Sequence, residues 1–250
     1  MNYLETIILS IVQGIAEWLP VSSEGLSVLV MLNLFGQNIS QAITYAFFLH
    51  LGTALAVLIR FRREFIHMLQ GSQLLKIVII TTASTALIAV PLVSFIEMQV
   101  QNGRLMNLFI GFLLILTGVM LRIPGSGYKT TEQMSVTDMV LLGLAQGLAV
   151  LPGISRSGTT ISFLMLRKMS EEQALKLSFI ISVPAVLGAI AFRGPPSDLN
   201  ITTGVLILVI TCIFGYLTME ALLRFARKVD FSKFCITFGA IAIVLTALTF

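Results

Sequence analysis

Long apolar runs separated by short polar stretches make up most of the chain. They fall at about 4–19, 21–35, 41–59, 77–96, 105–121, 136–151, 159–166, 172–192, 203–223 and 234–250. Crossing a hydrocarbon core of about 30 Å takes roughly 20 helical residues. Six runs meet that need and predict spanning helices: 41–59, 77–96, 105–121, 172–192, 203–223 and 234–250. The other four form two pairs, 4–19 with 21–35 and 136–151 with 159–166, each split by a polar break holding a proline, Pro20 or Pro152. Proline interrupts the helical hydrogen-bond ladder. Backbone groups freed at membrane depth are tolerated only where protein or a wet cavity satisfies them. Each pair therefore reads as a re-entrant helical hairpin, and two such breaks facing each other solve the problem jointly.

The two hairpins repeat one another. Gln13-Gly14-Ile15-Ala16, Leu19-Pro20, Ser22 and Gly25 return as Gln146-Gly147-Leu148-Ala149, Leu151-Pro152, Ser155 and Gly158, with an offset of 133 residues that is 132 at the Leu-Pro pair. A sequence repeat of this kind fixes architecture, and interrupted segments at matching places in two halves point to a midplane site. The expected fold is an all-α membrane protein with six transmembrane helices, two re-entrant helical hairpins and inverted-topology repeats. The first repeat covers residues 1–125 with its hairpin at 1–36, and the second covers 126–250 with its hairpin at 135–168.

Composition agrees with membrane placement. Of 250 residues 56% are hydrophobic and 11% charged, with a mean hydropathy of +0.96; soluble domains carry about a quarter charged residues. Lys and Arg outnumber Asp and Glu 16 to 12, but they sit in short connections and form no aromatic-interleaved basic face, so no nucleic-acid partner is expected. With the six spans alternating, thirteen of the sixteen basic residues fall on one side and only Arg104 and Arg193 on the other. The positive-inside rule then puts both termini and the opening of the first hairpin outside a multi-pass cell membrane, and the second hairpin opens inside. Asn2 and Glu5 replace the basic start of a signal peptide, so the first segment is expected to be retained. Cys212 and Cys235 lie in separate apolar runs without metal-ligand spacing and read as core residues, as Trp18 reads as packing or lipid-facing.

The sixteenth basic residue is Arg156, within Pro152-Gly153-Ile154-Ser155-Arg156-Ser157-Gly158-Thr159-Thr160. A guanidinium at bilayer depth costs at least about 2.5–3.5 kcal/mol and persists only with a partner. Glu17, in an apolar run of the other half, is the matching anomaly. Two readings follow: a buried pair that locks the halves together, or a guanidinium placed for an anionic ligand. The surroundings favour the second. Glycines let amides approach a ligand, Ser155, Ser157 and Thr160 offer hydroxyls, and a helix from about Thr159 directs its N-terminus at the loop, which together make a phosphate cradle. The Gly-Lys-Ser/Thr ending of a P-loop is missing, so ATP is not implied. On the other hairpin, Gln13 and Glu17 share one helix face, and Ser22-Ser23-Glu24-Gly25 is expected to form the turn. A carboxylate there serves as general base or metal ligand, and a neighbouring serine as nucleophile or helix cap. His50, inside a span, is open between a structural hydrogen bond and a site role; His67 reads as solvated.

At these residues the sequence resembles the undecaprenyl-pyrophosphate phosphatase family, the bacitracin-resistance type. Gln13-x-x-x-Glu17, Leu19-Pro20-Val21-Ser22-Ser23-Glu24-Gly25 and the run from Pro152 to Thr160 carry the likeness, which extends over essentially the whole chain. The resemblance implies hydrolysis of a polyprenyl diphosphate to the monophosphate at the outer face, for carrier-lipid recycling in cell-wall synthesis. It makes Glu17, Ser23 and Arg156 catalytic, with Gln13, Ser22, Ser155, Ser157, Gly158 and Thr160 around the substrate. It also implies a divalent cation, magnesium or calcium, at Glu17 and Gln13; self-association into a homodimer is left open. One departure matters. The family commonly has a histidine after the loop glycine, where this chain has Leu26. Proton handling then falls to Glu17, to Glu24, or to His50, or else turnover is weak and the protein transports or flips a polyprenyl phosphate.

Overall fold

A computed structural model describes residues 1–19, 21–99, 103–120, 127–225 and 231–248. Pro20, expected to break the first hairpin, lies outside the described residues, as does the side chain of Cys235. Among those residues the chain is all-helical: α1 (Tyr3–Ala16), α2 (Ser23–Asn33), α3 (Ile39–Arg60), α4 (Arg62–Met68), α5 (Gln73–Gln99), α6 (Gly103–Met120), α7 (Val136–Leu148), α8 (Arg156–Leu166), α9 (Glu171–Arg193), α10 (Ile201–Phe225) and α11 (Phe231–Leu248), with one 3-10 turn at Thr131–Gln133.

Four helices, α3, α5, α9 and α10, are long and apolar enough to cross a membrane. Their outer faces carry side chains that water would not tolerate in rows, such as Leu87, Val90, Val209, Ile213 and Leu217, all exposed. The protein is a multi-pass membrane protein. The charged connection after α3, expected as a loop, folds into α4, which buries Met68 beneath it and leaves Arg62, Arg63 and His67 exposed.

Helix starts follow the 133-residue register. Asn2 and Ser135 each close a reciprocal capping box, with Glu5 and Asp138 respectively. Ser22 and Ser155 each accept from the amide three residues on, Gly25 at 3.2 Å and Gly158 at 3.1 Å, and so start α2 and α8. These caps correct two expectations. Ser23–Gly25 form the first turn of α2 rather than a loop, and α8 begins at Arg156 rather than near Thr159, because the cap recruits the following residues into the helix. Asp138 also ties the hairpin's two ends together, accepting from Arg167 at 2.5 Å with Lys129 at 3.7 Å.

The hairpins dock across the molecule: α1 packs on α10, and α7 on α5. Small residues permit the approach. A Cβ on Gly14 would fall 2.7 Å from Cβ of Phe214, and one on Gly147 2.9 Å from the Thr85 carbonyl oxygen. Trp18 is fully buried and is a packing residue, its indole donating to the Gly215 carbonyl at 2.6 Å and meeting Phe179 edge-on.

Candidate active site

The tips of the two hairpins interlock. Ser22 sits in the left-handed region, with φ of 56°, a conformation costing a non-glycine residue roughly 1–2 kcal/mol. Its Oγ is offset by accepting two amides, those of Gly25 at 3.2 Å and Gly153 at 3.0 Å, the second from the other hairpin. Both lone pairs are thus used and the hydroxyl proton is left to donate. Gly153 has φ of +110°, and a Cβ on Gly25 would stand 2.9 Å from its amide nitrogen, so only glycines let the tips pass. Ser157 Oγ closes a further link, donating to the Leu19 carbonyl at 3.2 Å.

Glu17, at the C-terminal cap of α1 and 4% exposed, is the hub. Its Oε2 accepts from Gln13 Nε2 at 2.6 Å and from Ser23 Oγ at 2.7 Å, and lies 3.2 Å from His50 Nε2. Its Oε1 accepts from Arg156 Nη2. The expected pair across the two halves is therefore formed, and the carboxylate gathers groups from α1, α2, α3 and α8. Burying a charge this deeply requires such a shell. Arg156 stands in the first turn of α8, with Nη1 directed at the Ser178 carbonyl at 3.4 Å.

Glu17, Ser22, Ser23, Ser155, Arg156 and Ser157 line one cleft of about 730 Å³ including its open mouth. The first turns of α2 and α8 both border it, so the positive ends of two helix dipoles serve the same space. Gly158 and Thr160 stand behind the wall. Gly158 completes the Ser155 cap, and Thr160 braces Arg156, its Oγ1 lying 2.8 Å from the Arg156 carbonyl and 2.7 Å from Ser178 Oγ. Gln13 is likewise behind the hub, its carbonyl oxygen turned toward Ser27 at 3.4 Å. A carboxylate only accepts, so Gln13 must present its amide nitrogen to Glu17. The Gln13–Glu17 pair as arranged does not offer two oxygens to one cation.

Three further residues line the cleft: His50 and Glu24, which the sequence offers for proton handling, and Gln146, which it does not. His50 is the histidine that reaches Glu17. Glu24 and Gln146 line the cleft with Oε1 atoms that are buried and have no hydrogen-bond partner among the described residues. Gln146 was detectable as the repeat partner of Gln13. Such oxygens suit a hard cation, which takes one or two carboxylates plus phosphate oxygens. The cleft continues into an apolar groove between α5 and α9, sharing Phe47, Ala89, Val150 and Ala189 with it.

This geometry can be set beside known proteins. Residues 6–244 match the profile of the bacitracin resistance protein BacA family. The chain belongs to that family. The undecaprenyl-diphosphatase of Methanothrix thermoacetophila is 48% identical over 252 residues, covering 99% of this chain and 98% of its own. That of Methanococcoides burtonii is 39% identical, with 98% of each chain covered, and that of Methanopyrus kandleri 36%, with 96% and 94% covered. The BacA match takes in both hairpin tips, and the residues that converge on Glu17 all lie within it.

Proposed function

We propose that the protein is an integral membrane phosphatase that hydrolyses a polyprenyl diphosphate of the undecaprenyl type to the monophosphate, returning a carrier lipid to use. The observation that carries this reading is the 2.7 Å hydrogen bond from Ser23 Oγ to Glu17, with Arg156 and the α8 N-terminus on the same cleft. A serine whose proton is already directed at a buried carboxylate is a nucleophile with its base in place. Ser23 Oγ attacks the terminal phosphorus as its proton passes to the Glu17–His50 pair. The bond to the bridging oxygen breaks, and the lipid monophosphate leaves. Water then attacks the phosphoserine, its proton taken by the same pair, and releases inorganic phosphate. Arg156, the free amides of the α8 first turn and the Ser22 hydroxyl answer the charge on the phosphate oxygens.

A divalent cation, magnesium or calcium, would be held by Glu24 with Gln146 and would neutralise diphosphate oxygens. The prenyl chain lies in the groove between α5 and α9, whose walls of Ala86, Ala89, Ala185 and Gly188 leave width for a branched hydrocarbon. Six spans, α3, α5, α6, α9, α10 and α11, with the α1–α2 and α7–α8 pairs re-entrant, form two inverted repeats, 1–125 and 126–250. Element lengths support this arrangement: α1 and α7, at 14 and 13 residues, reach only about 20 Å at 1.5 Å per residue. The basic connections support an orientation with both termini and the first hairpin's opening outside.

The test is phosphate release from a C55 diphosphate by purified protein, with and without chelator, run beside a liposome assay of lipid phosphate crossing leaflets. Release that collapses in Arg156→Ala and Glu17→Ala is the expected result. Unchanged release in both variants, or leaflet transfer without release, overturns it.

A further inference from the structure

A second polar cleft lies away from Glu17, where α3 and α10 end. Arg60, Arg62, Arg63 and Arg224 line it together with Tyr216 and Leu217. Among the described residues two carboxylates face these arginines, and both are engaged. Glu220 accepts from Arg60 and lies 3.6 Å from Arg224. Glu64 is 2.7 Å from Lys176. Burial pushes the Glu64 carboxyl upward, but the Lys176 hydrogen bond, a backbone amide and the charges of Lys176 and Arg60 outweigh it and hold the group below the usual carboxylate range. The cleft therefore keeps a net positive charge, with Arg62 and Arg63 exposed at its rim.

What surrounds the cleft is apolar. Val205, Val209, Ile213 and Leu217 recur every fourth residue on one face of α10, and each is 47–60% exposed. The stripe runs down the helix and enters the cleft at Leu217. On the other flank, Ile66 and Leu69 at the end of α4 are 59% and 76% exposed beside the arginines of the same short segment. A basic face joined to an exposed apolar one is the pattern of chain resting at a membrane interface, and Tyr216 is a residue type concentrated there. Topology alone accounts for basic residues in this connection. It does not account for four arginines gathered round one cleft that an uninterrupted hydrocarbon-facing track leads into.

We propose that this cleft binds the headgroup of an anionic membrane phospholipid, whose hydrocarbon chain lies along the Val205–Leu217 stripe. The occupant must be a lipid because the track and the cleft are continuous, and anionic because the arginines exceed the carboxylates left to answer them. The bound lipid would bridge α3, which carries His50, to α10, on which the first hairpin rests.

Native mass spectrometry of the full chain in neutral detergent tests this, with dioleoyl phosphatidylglycerol as probe and phosphatidylcholine of the same chains as control. Saturable retention of phosphatidylglycerol is expected. The Arg62→Gln/Arg63→Gln variant should bind it about thirtyfold more weakly while still releasing phosphate from its substrate in detergent, which shows that it folds. Equal retention of the two lipids, unchanged retention in the variant, or equally effective competition by soluble glycerol 3-phosphate overturns the proposal; the last outcome marks a plain anion site. None of these results bears on the reaction at Glu17.

Discussion

His50 Nε2 lies 3.2 Å from Glu17 Oε2, while the other ring nitrogen, Nδ1, contacts the Ala46 carbonyl at 2.6 Å. A carbonyl oxygen only accepts, so Nδ1 carries a hydrogen and donates it. The other ring nitrogen, Nε2, therefore faces the carboxylate. Ser23 donates to the same carboxylate oxygen. A proton leaving Ser23 thus has a continuous route to an imidazole that the helix backbone holds in one tautomer, the arrangement general acid–base catalysis needs.

That route predicts how His50 substitutions behave. His50→Gln keeps a polar group near Glu17 but cannot carry the proton. Phosphate release should fall about 10²-fold in kcat, within the range for loss of a general acid–base, with KM little changed and the pH–rate profile losing one limb. Steady-state kinetics across pH measure both. A glutamine variant with full kcat and an unaltered profile would make His50 a packing residue.

Arg156 and Glu17 form one ion pair that joins the two halves and borders the cleft. Breaking a buried ion pair by removing one partner costs about 3–5 kcal/mol, because the other charge is left uncompensated. Arg156→Ala and Glu17→Gln should each lower the thermal midpoint and suppress phosphate release by about 10²-fold or more. Combining Arg156→Met with Glu17→Gln should restore much of the stability and none of the activity. Activity returning along with stability would reduce the pair to a structural lock.

The interlocked tips make a separate claim about packing. Gly25→Ala drives a Cβ to 2.9 Å from the Gly153 nitrogen, a contact with backbone that cannot swing aside. Overpacking of this kind costs about 1–3 kcal/mol, so the variant should unfold at lower temperature and lose activity in proportion. A Gly25→Ala protein as stable as the parent contradicts the close passage of the hairpins.

How far the site was legible depends on the kind of signal. The register between Gln13–Gly25 and Gln146–Gly158 is readable because identical local demands, a capping serine with a glycine three residues on, recur at a fixed offset. Arg156 and Glu17 stand out because a charge in an apolar run needs a partner. Helix α8 starts three residues before the position the sequence predicts, because Ser155, which reads as a loop hydroxyl, accepts from the Gly158 amide and caps the helix. His50 is harder still. Nothing in an apolar helix marks which face meets a neighbouring hairpin, so its contact with Glu17 follows only from how α3 packs on α1. The direction of the Gln13 amide depends on a carboxylate four residues away, and Glu24 is distinguished by a buried Oε1 with no hydrogen-bond partner among the described residues, which no sequence records.

The groove between α5 and α9 yields the last prediction, and it separates tail binding from chemistry. Gly188 borders that groove but not the headgroup cleft, and a Cβ placed on it would meet nothing within 4 Å. A leucine at this position therefore occupies groove space without disturbing the core, and it relieves the helix of a residue costing about 1 kcal/mol relative to alanine. Displacing two methylene groups of a bound chain forfeits about 1.6 kcal/mol at about 0.8 kcal/mol each. Gly188→Leu should accordingly lower kcat/KM for a C55 diphosphate about tenfold, leave a C5 diphosphate unaffected, and raise the thermal midpoint slightly. Equal losses on both substrates would mean that the variant disturbs the reacting groups. No loss on either would move the prenyl chain out of this groove.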